Sequence, residues 1–407
     1  MNYIFLLVLF LFININSFSQ EKYYEFPFFE GSRMITMRQS SEFVQNANRL
    51  LAEIVVTDKK SEFRYFTWSS ILSGLLLIPI THEEGHRSVL SANNIGAVSE
   101  PIFDKRLIAK VTGVSNQTLI TLREENLPTY IRLHTAGLES DICYLNSLTT
   151  KLSFEEEETK YVYGDMVMRY AGVLSYFFST YLAPRYSIDE SNVPELELDI
   201  VGHDIWGMIR HLYKPNEPNF YRYTKLNDLN YEEKRYAKRM AWFSLANLIN
   251  PNLLAIRNFT LKNGNKISFN LSYSLAPFGD FFRQDIYYLV TNKNLKLNFH
   301  LSEYFNKSNF FLGGGLRLHN YKLSNKFLMN SSLDIWSQPK ELDFTTKESD
   351  LGIGFSLNVA YKFFQKEKQS LFLNFGFLAK TEGFIPQNMA LDSDFKMQMG
   401  LIYALKK

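Results

Sequence analysis

The sequence predicts an α+β chain: a helical N-terminal domain followed by an antiparallel β-barrel of about eight strands. Three observations predict it. From about residue 21 to 255, apolar clusters separated by charged turns follow a helical logic, and from about Asn258 the period changes to two. Aromatic residues, 35 Phe, 24 Tyr and 4 Trp, concentrate towards the C-terminal end. The 407 residues carry 44 Lys plus Arg against 42 Asp plus Glu, a net charge of +2, and 46% are hydrophobic. That balance excludes a disordered tail, a collagen-like fibre and a basic nucleic-acid module. Basic residues are scattered rather than striped, so no nucleic-acid partner is expected. The single cysteine, Cys143, excludes an internal disulfide and every Cys-rich zinc framework, which leaves His and carboxylates for any metal.

Residues 1–19 are expected to be a signal peptide. Met1 to Asn14 carry no charge, Ile4 to Ile13 form an apolar run, and Ser17 and Ser19 are small residues before a cut near Gln20. A run near ten residues falls well short of the roughly 20 that span a bilayer. Residues 20–255 form the expected helical domain. Its three long, nearly uncharged segments, Tyr65 to Thr81, Tyr170 to Pro184 and Met240 to Ile256, are expected to be buried core helices, because Ser69, Ser73, Pro79, Ser175, Ser179 and Asn247 interrupt them. The acidic run Glu155 to Glu158 is expected on a solvated face.

Residues 256–407 hold the strands. Ile267, Phe269, Leu271, Tyr273 and Leu275 alternate with Lys266, Ser268, Asn270, Ser272 and Ser274, and similar alternation recurs over 295–302, 352–363 and 395–404. Residues 285–291, 310–319, 327–336 and 371–379 complete about eight strands, with turn-rich stretches such as Asn263-Gly-Asn-Lys266 among them. A soluble sheet spreads Glu, Lys and Thr over its wet face, whereas here one face is mostly Ser, Asn and Gly and the other aromatic or leucine. Eight strands of roughly ten residues with turns need about 150 residues, and 256–407 supplies 152. The region resembles bacterial outer-membrane β-barrels. That resemblance implies membrane lipid around the barrel, an outer-membrane location and a periplasmic helical domain. The ending Tyr403-Ala-Leu-Lys-Lys407 departs from the terminal aromatic common in such barrels.

The sharpest chemical signal is His82-Glu83-Glu84-Gly85-His86. Residues four apart share one face of a helix, so His82 and His86 can aim two imidazoles at one ion, with Glu83 beside the open coordination position. Imidazole suits Zn2+, whose bound water has a pKa near 7; Glu83 as general base would take its proton. Pro79 is expected to kink or end a helix just ahead of these ligands. At this pentapeptide the sequence resembles the zincin group of zinc metallopeptidases. The likeness implies that His82 and His86 are metal ligands, that Glu83 is catalytic and that the substrate is a peptide or protein.

Zincins of the glutamate type add a Glu from a later helix and an Asp one turn further on. The third metal ligand is therefore placed at Glu139, in Thr135-Ala-Gly-Leu-Glu-Ser-Asp141, although Cys143 stands one turn on and Asp141 only two residues away. Asp141 itself, and His203 or Asp204 in Asp199-Ile-Val-Gly-His203-Asp204, are the alternatives, with His211 two turns beyond His203. No Gly-x-Ser-x-Gly elbow, phosphate loop or dinucleotide fingerprint competes. The expected function is zinc-dependent peptide hydrolysis at an exported, membrane-anchored domain. The alternative is a non-catalytic outer-membrane structural or transport protein whose helices form a plug or platform.

Overall fold

The computed structural model describes residues 21–31, 34–103, 109–182 and 192–406; the expected signal peptide lies outside them. The chain opens with strand β1 (Glu21–Glu30) and continues through α1 (Met37–Val55), α2 (Lys59–Leu72), a π-helical turn (Ser73–Leu77) and α3 (Ile78–Ala92). A small pair of strands, β2 (Val98–Glu100) and β3 (Lys110–Thr112), follows. Then come α4 (Asn116–Glu125), α5 (Leu127–Ser153), α6 (Thr159–Leu182), α7 (Asp204–Tyr213) and α8 (Tyr231–Phe243). The remainder is strand: β4 (Phe259–Thr260), β5 (Lys266–Ala276), β6 (Gly279–Val290), β7 (Leu295–Phe305), β8 (Phe310–Lys322), β9 (Phe327–Pro339), β10 (Ser349–Lys366), β11 (Gln369–Lys380) and β12 (Asp394–Lys406).

Apart from β1, β2 and β3, which fall in the stretch expected to be helical, helix and sheet divide as expected, and β5 to β12 fall on the eight segments read from the alternation. Closure does not follow. The strands form one ten-stranded antiparallel sheet in the order β1-β12-β11-β10-β9-β8-β7-β6-β5-β4, which is not closed into a barrel. The tenth strand comes from the stretch expected to be all helical: Glu21 pairs with Lys406 and Tyr24 with Tyr403. The reason the edges stay apart lies in contacts at each edge. On β5, Asn247 accepts from the Tyr273 N–H at 2.8 Å and donates to its carbonyl at 3.1 Å, and the Leu271 N–H reaches the Ile249 carbonyl. On β1, Asn46 and Arg49 of α1 donate to the carbonyls of Glu25 and Tyr23. Side chains and turns thus satisfy backbone groups that a closing strand would have used.

The two faces of the sheet are inverted relative to a soluble one. Ser268 (0% exposed), Asn270 (3%), Asn298 (2%) and Ser302 (3%) are buried, while Phe269 (45%), Ile335 (53%) and Phe395 (65%) are not. Helix α5 covers part of the polar face, with Asn146 bonded to Asn270 and Ser272 of β5.

Three expectations about the helices need correction. Tyr65 to Thr81 is not a buried core helix: residues 59–92 run as one 34-residue helix whose most apolar window is 22% buried, with Phe63, Trp68 and Leu75 exposed. Of the two outcomes expected at Pro79, a kink or an end, the helix does not end. Proline supplies no N–H and crowds the carbonyl four residues back, and the strain is taken up in the π turn, where the Ile78 N–H reaches five residues back to the Ser73 carbonyl. Met240 to Ile256 is not one helix, since α8 stops at Phe243 and tight turns lead on to the Asn247 contact. The acidic run is also not a solvated face. Glu157 pairs with Arg49 (2.8 Å) and Lys22 (2.9 Å), and Glu156 with Lys296 (2.7 Å), all buried.

Candidate metal centre

Helix α3 places His82 and His86 one turn apart, with ring centroids 5.0 Å from each other. Each ring is fixed through its Nδ1: His86 against the Leu133 carbonyl at 2.6 Å, and His82 against Asp141 Oδ2 at 2.8 Å. A carbonyl only accepts, so His86 carries its proton on Nδ1 and leaves the Nε2 lone pair free. Both rings lie against Gly137 of α5, where a Cβ would stand 2.4 Å from either Nε2. The helices approach this closely because Gly85 faces the Ala136 carbonyl, at 2.4 Å from where its own Cβ would be. Two glycines therefore set the packing that leaves both Nε2 atoms side by side.

Asp204, the first residue of α7, completes the group. Its Oδ2 lies 3.3 Å from His82 Nε2 and 3.5 Å from His86 Nε2, and the three donor atoms lie within 4.8 Å of one another. Zinc bonds of about 2.0–2.2 Å in a tetrahedron put neighbouring ligand atoms about 3.3–3.5 Å apart, so the spacing suits such an ion. The carboxylate is held by its other oxygen, which accepts from the Tyr176 hydroxyl at 2.7 Å, while the Asp204 N–H donates back to that hydroxyl at 3.1 Å. Oδ2 itself is buried, and its polar approach is to the two imidazole nitrogens. A buried carboxylate oxygen facing two imidazole nitrogens fits either a shared proton or a cation between them.

The electrostatics differ between the two rings: without a metal, His86 is held neutral and His82 is drawn towards the imidazolium, which a bound cation would have to displace. Burial lowers the His86 pKa and favours the neutral form that ligates metal. At His82 burial acts the same way, but the Asp204 and Asp141 carboxylates outweigh it and raise the pKa well above the ordinary value. Asp204 is held well below the carboxylate range; burial opposes this, and His86 and His82 overcome it. Glu83 is buried beside them, and burial, partly offset by His82, pushes its carboxyl up to about 8.

A further line of buried charge fixes Asp141. Arg169 of α6 donates to Asp141 Oδ1 (3.2 Å), Thr81 Oγ1 (2.9 Å), the Leu77 carbonyl (3.1 Å) and Asp165 (3.0 Å). The group that orients His82 is thereby tied to the π turn. The four residues His82, Glu83, His86 and Asp204 line a cavity of about 430 Å³.

The structure brings His82, Glu83, His86 and Asp204 together and leaves Glu139 out. Glu139 is fully buried and forms a bidentate pair with Arg132 (2.7 and 3.1 Å), and it accepts the Gln387 N–H at 2.7 Å. Its oxygens are thus committed elsewhere, and Asp204, an alternative from the sequence, stands where the third ligand was placed at Glu139. Asp141, two residues from Glu139, orients His82 through its Nδ1. His203 stacks on Trp206 at 4.0 Å, and His211 lies against His134 at 5.5 Å. Tyr176, Arg169 and Gly137 were not found from sequence, and no local pattern marks them.

No family model, no curated protein and no solved structure matches the chain. Fold and site define a mixed helical and antiparallel-sheet protein with a candidate metal-binding triad of His82, His86 and Asp204.

Proposed function

We propose that this chain is a zinc-dependent peptidase, exported and held at a membrane by the apolar face of its sheet. The observation that carries the reading is the triad: two imidazole nitrogens and a buried carboxylate oxygen at 3.3 and 3.5 Å, with Glu83 lining the same cavity. His82, His86 and Asp204 would hold the ion. Zinc, when bound, polarises a carbonyl and acidifies water. Glu83 accepts the proton of the attacking water and passes it to the departing amine. Asp141 and Leu133 keep the two rings from rotating, and Tyr176 keeps Asp204 turned towards them.

Lipid contact for the sheet is supported by its inverted faces, since water gives no reason to bury serine and asparagine while exposing phenylalanine. In this reading the sheet sits in the outer membrane and the helical part carries the site on the periplasmic side. The experiment is Glu83→Gln in zinc-loaded protein: it keeps one zinc per chain and loses cleavage of a peptide library. Undiminished cleavage would remove Glu83 from its role. A second reading, a non-catalytic envelope protein with a helical plug, draws on α5 lying against the polar face of the sheet, where cavities of about 220 and 250 Å³ remain. It predicts no cleavage by any form.

A further inference from the structure

The cavity at the triad also has apolar wall: Gly74 of the π turn, Ile78 and Pro79 of α3, Leu138 of α5, and Gly172 and the ring of Tyr176 from α6, the last reaching the triad through its hydroxyl. Helix α6 packs along α2 and the π turn, so Gly74 and Gly172 come from neighbouring helical segments. Gly172 stands out among them.

Helix α6 contains two glycines, and packing explains only one. At Gly164 a Cβ would meet Ser69 Oγ at 2.2 Å and the Phe66 carbonyl at 2.6 Å, so the helices could not approach with any side chain there. At Gly172 a Cβ would meet only Ile78 Cδ1, at 3.8 Å, an ordinary contact, and the residue is exposed. Glycine in mid-helix costs about 1 kcal/mol relative to alanine. Nothing in the packing or the backbone offsets that cost at 172. What the missing side chain does is leave the cavity open beside its apolar wall.

We infer that this apolar wall forms a subsite for a bulky apolar side chain of the peptide substrate, and that Gly172 sets its depth. The inference rests on the peptidase reading and adds the substrate class to it. The wall offers a bound side chain Ile78, Pro79, Leu138 and the Tyr176 ring. The apolar wall and the triad line one cavity of about 430 Å³, so one bound peptide can meet both. Gly172→Leu places a branched side chain in the cavity without a backbone clash. Gly172→Ala fills it partly and favours the helix.

The test uses full-length, zinc-loaded protein and quenched peptides that differ at one position beside the scissile bond, Ala, Leu or Phe. Pocket discrimination of this kind is worth about 10- to 200-fold. The wild type is expected to prefer Phe and Leu over Ala at least about tenfold in kcat/KM. Gly172→Leu is expected to lose about tenfold or more on Phe while the Ala peptide changes less than about threefold, with zinc content unchanged and Gly172→Ala in between. Equal losses on all peptides, or an unchanged preference, overturn the subsite. The same peptides, fluorescently labelled, are bound to zinc-loaded Glu83→Gln with and without Gly172→Leu. If the wild type cleaves nothing yet the Phe peptide binds and Gly172→Leu abolishes that binding, the peptidase reading falls and the subsite stands. If the Phe peptide binds no better than the Ala peptide, the subsite falls whatever the catalysis.

Discussion

Exchanging the carboxylate at 139 and at 204 for its amide should have opposite consequences. Glu139 and Arg132 are both fully buried, joined by two hydrogen bonds of 2.7 and 3.1 Å, and Arg132 also donates to the carbonyls of Asn388 and Met389 in the β11–β12 connection. Glu139→Gln keeps the shape and the acceptor for Gln387 but leaves the guanidinium buried without a counter-charge. Breaking a buried pair on one side costs about 3–5 kcal/mol. Asp204→Asn leaves an oxygen for the Tyr176 hydroxyl but removes the negative ligand. Partners that merely orient a ligand are worth about 10- to 100-fold in metal affinity, so losing a ligand should cost more than about 100-fold. Its effect on metal-free stability should be the smaller of the two, because His82 can release its proton when Asp204 no longer favours the imidazolium. The assay is denaturant unfolding in detergent without metal, alongside zinc titration of each variant. The reasoning is refuted if Glu139→Gln abolishes zinc binding while Asp204→Asn retains it.

Other consequences follow from the same contacts. Asp141→Asn should weaken zinc binding about 10- to 100-fold with all three ligands intact, measurable by competition with a chelating dye, because only the orientation of His82 changes. The Glu156 carboxyl, which burial would raise, is held at about 2 by Lys296, with a further hydrogen bond from Asn320. A depressed carboxylate stabilises the fold fully above its unfolded pKa of about 4.3 and progressively less as pH falls towards the folded value. Unfolding midpoints between pH 5 and 2.5 should therefore drop more steeply for the wild type than for Glu156→Gln; parallel curves would contradict this. On the exposed face of the sheet, Ile335→Arg should cost up to about 2–4 kcal/mol in a bilayer. It should have little effect if that face meets water, a contrast that folding into vesicles against detergent-free buffer will read.

How far the fold could be read in advance depended on the kind of signal. Period-two alternation is a local property of a strand, and β5 to β12 carry it in their own residues. Edge closure is not local: it turns on Asn247, Asn46 and Arg49 meeting backbone groups far away in the chain, and nothing in the spacing of those residues announces it. Strand β1 escaped because Tyr23-Tyr24 and Pro27-Phe28-Phe29 break the alternation, and its partner lies at the other end of the chain. Exposure of α2 was misjudged because an apolar helix with scattered serines reads the same whether it lies in a core or on an apolar surface.

The candidate site divides in the same way. His82, Glu83 and His86 belong to one helical turn and were legible as chemistry. The third donor depended on which distant helix start faces them, and sequence placed it at Glu139. What sequence could not supply was Arg132, the cation that occupies Glu139, or Tyr176, the hydroxyl that turns Asp204 inward.

The most direct measurement is diffraction at the zinc absorption edge from crystals of the zinc-loaded chain. The account predicts one anomalous peak within about 2.2 Å of His82 Nε2, His86 Nε2 and an Asp204 oxygen. A peak at Glu139 and Arg132, a peak that leaves Asp204 bound only to Tyr176, or no peak at all would contradict it.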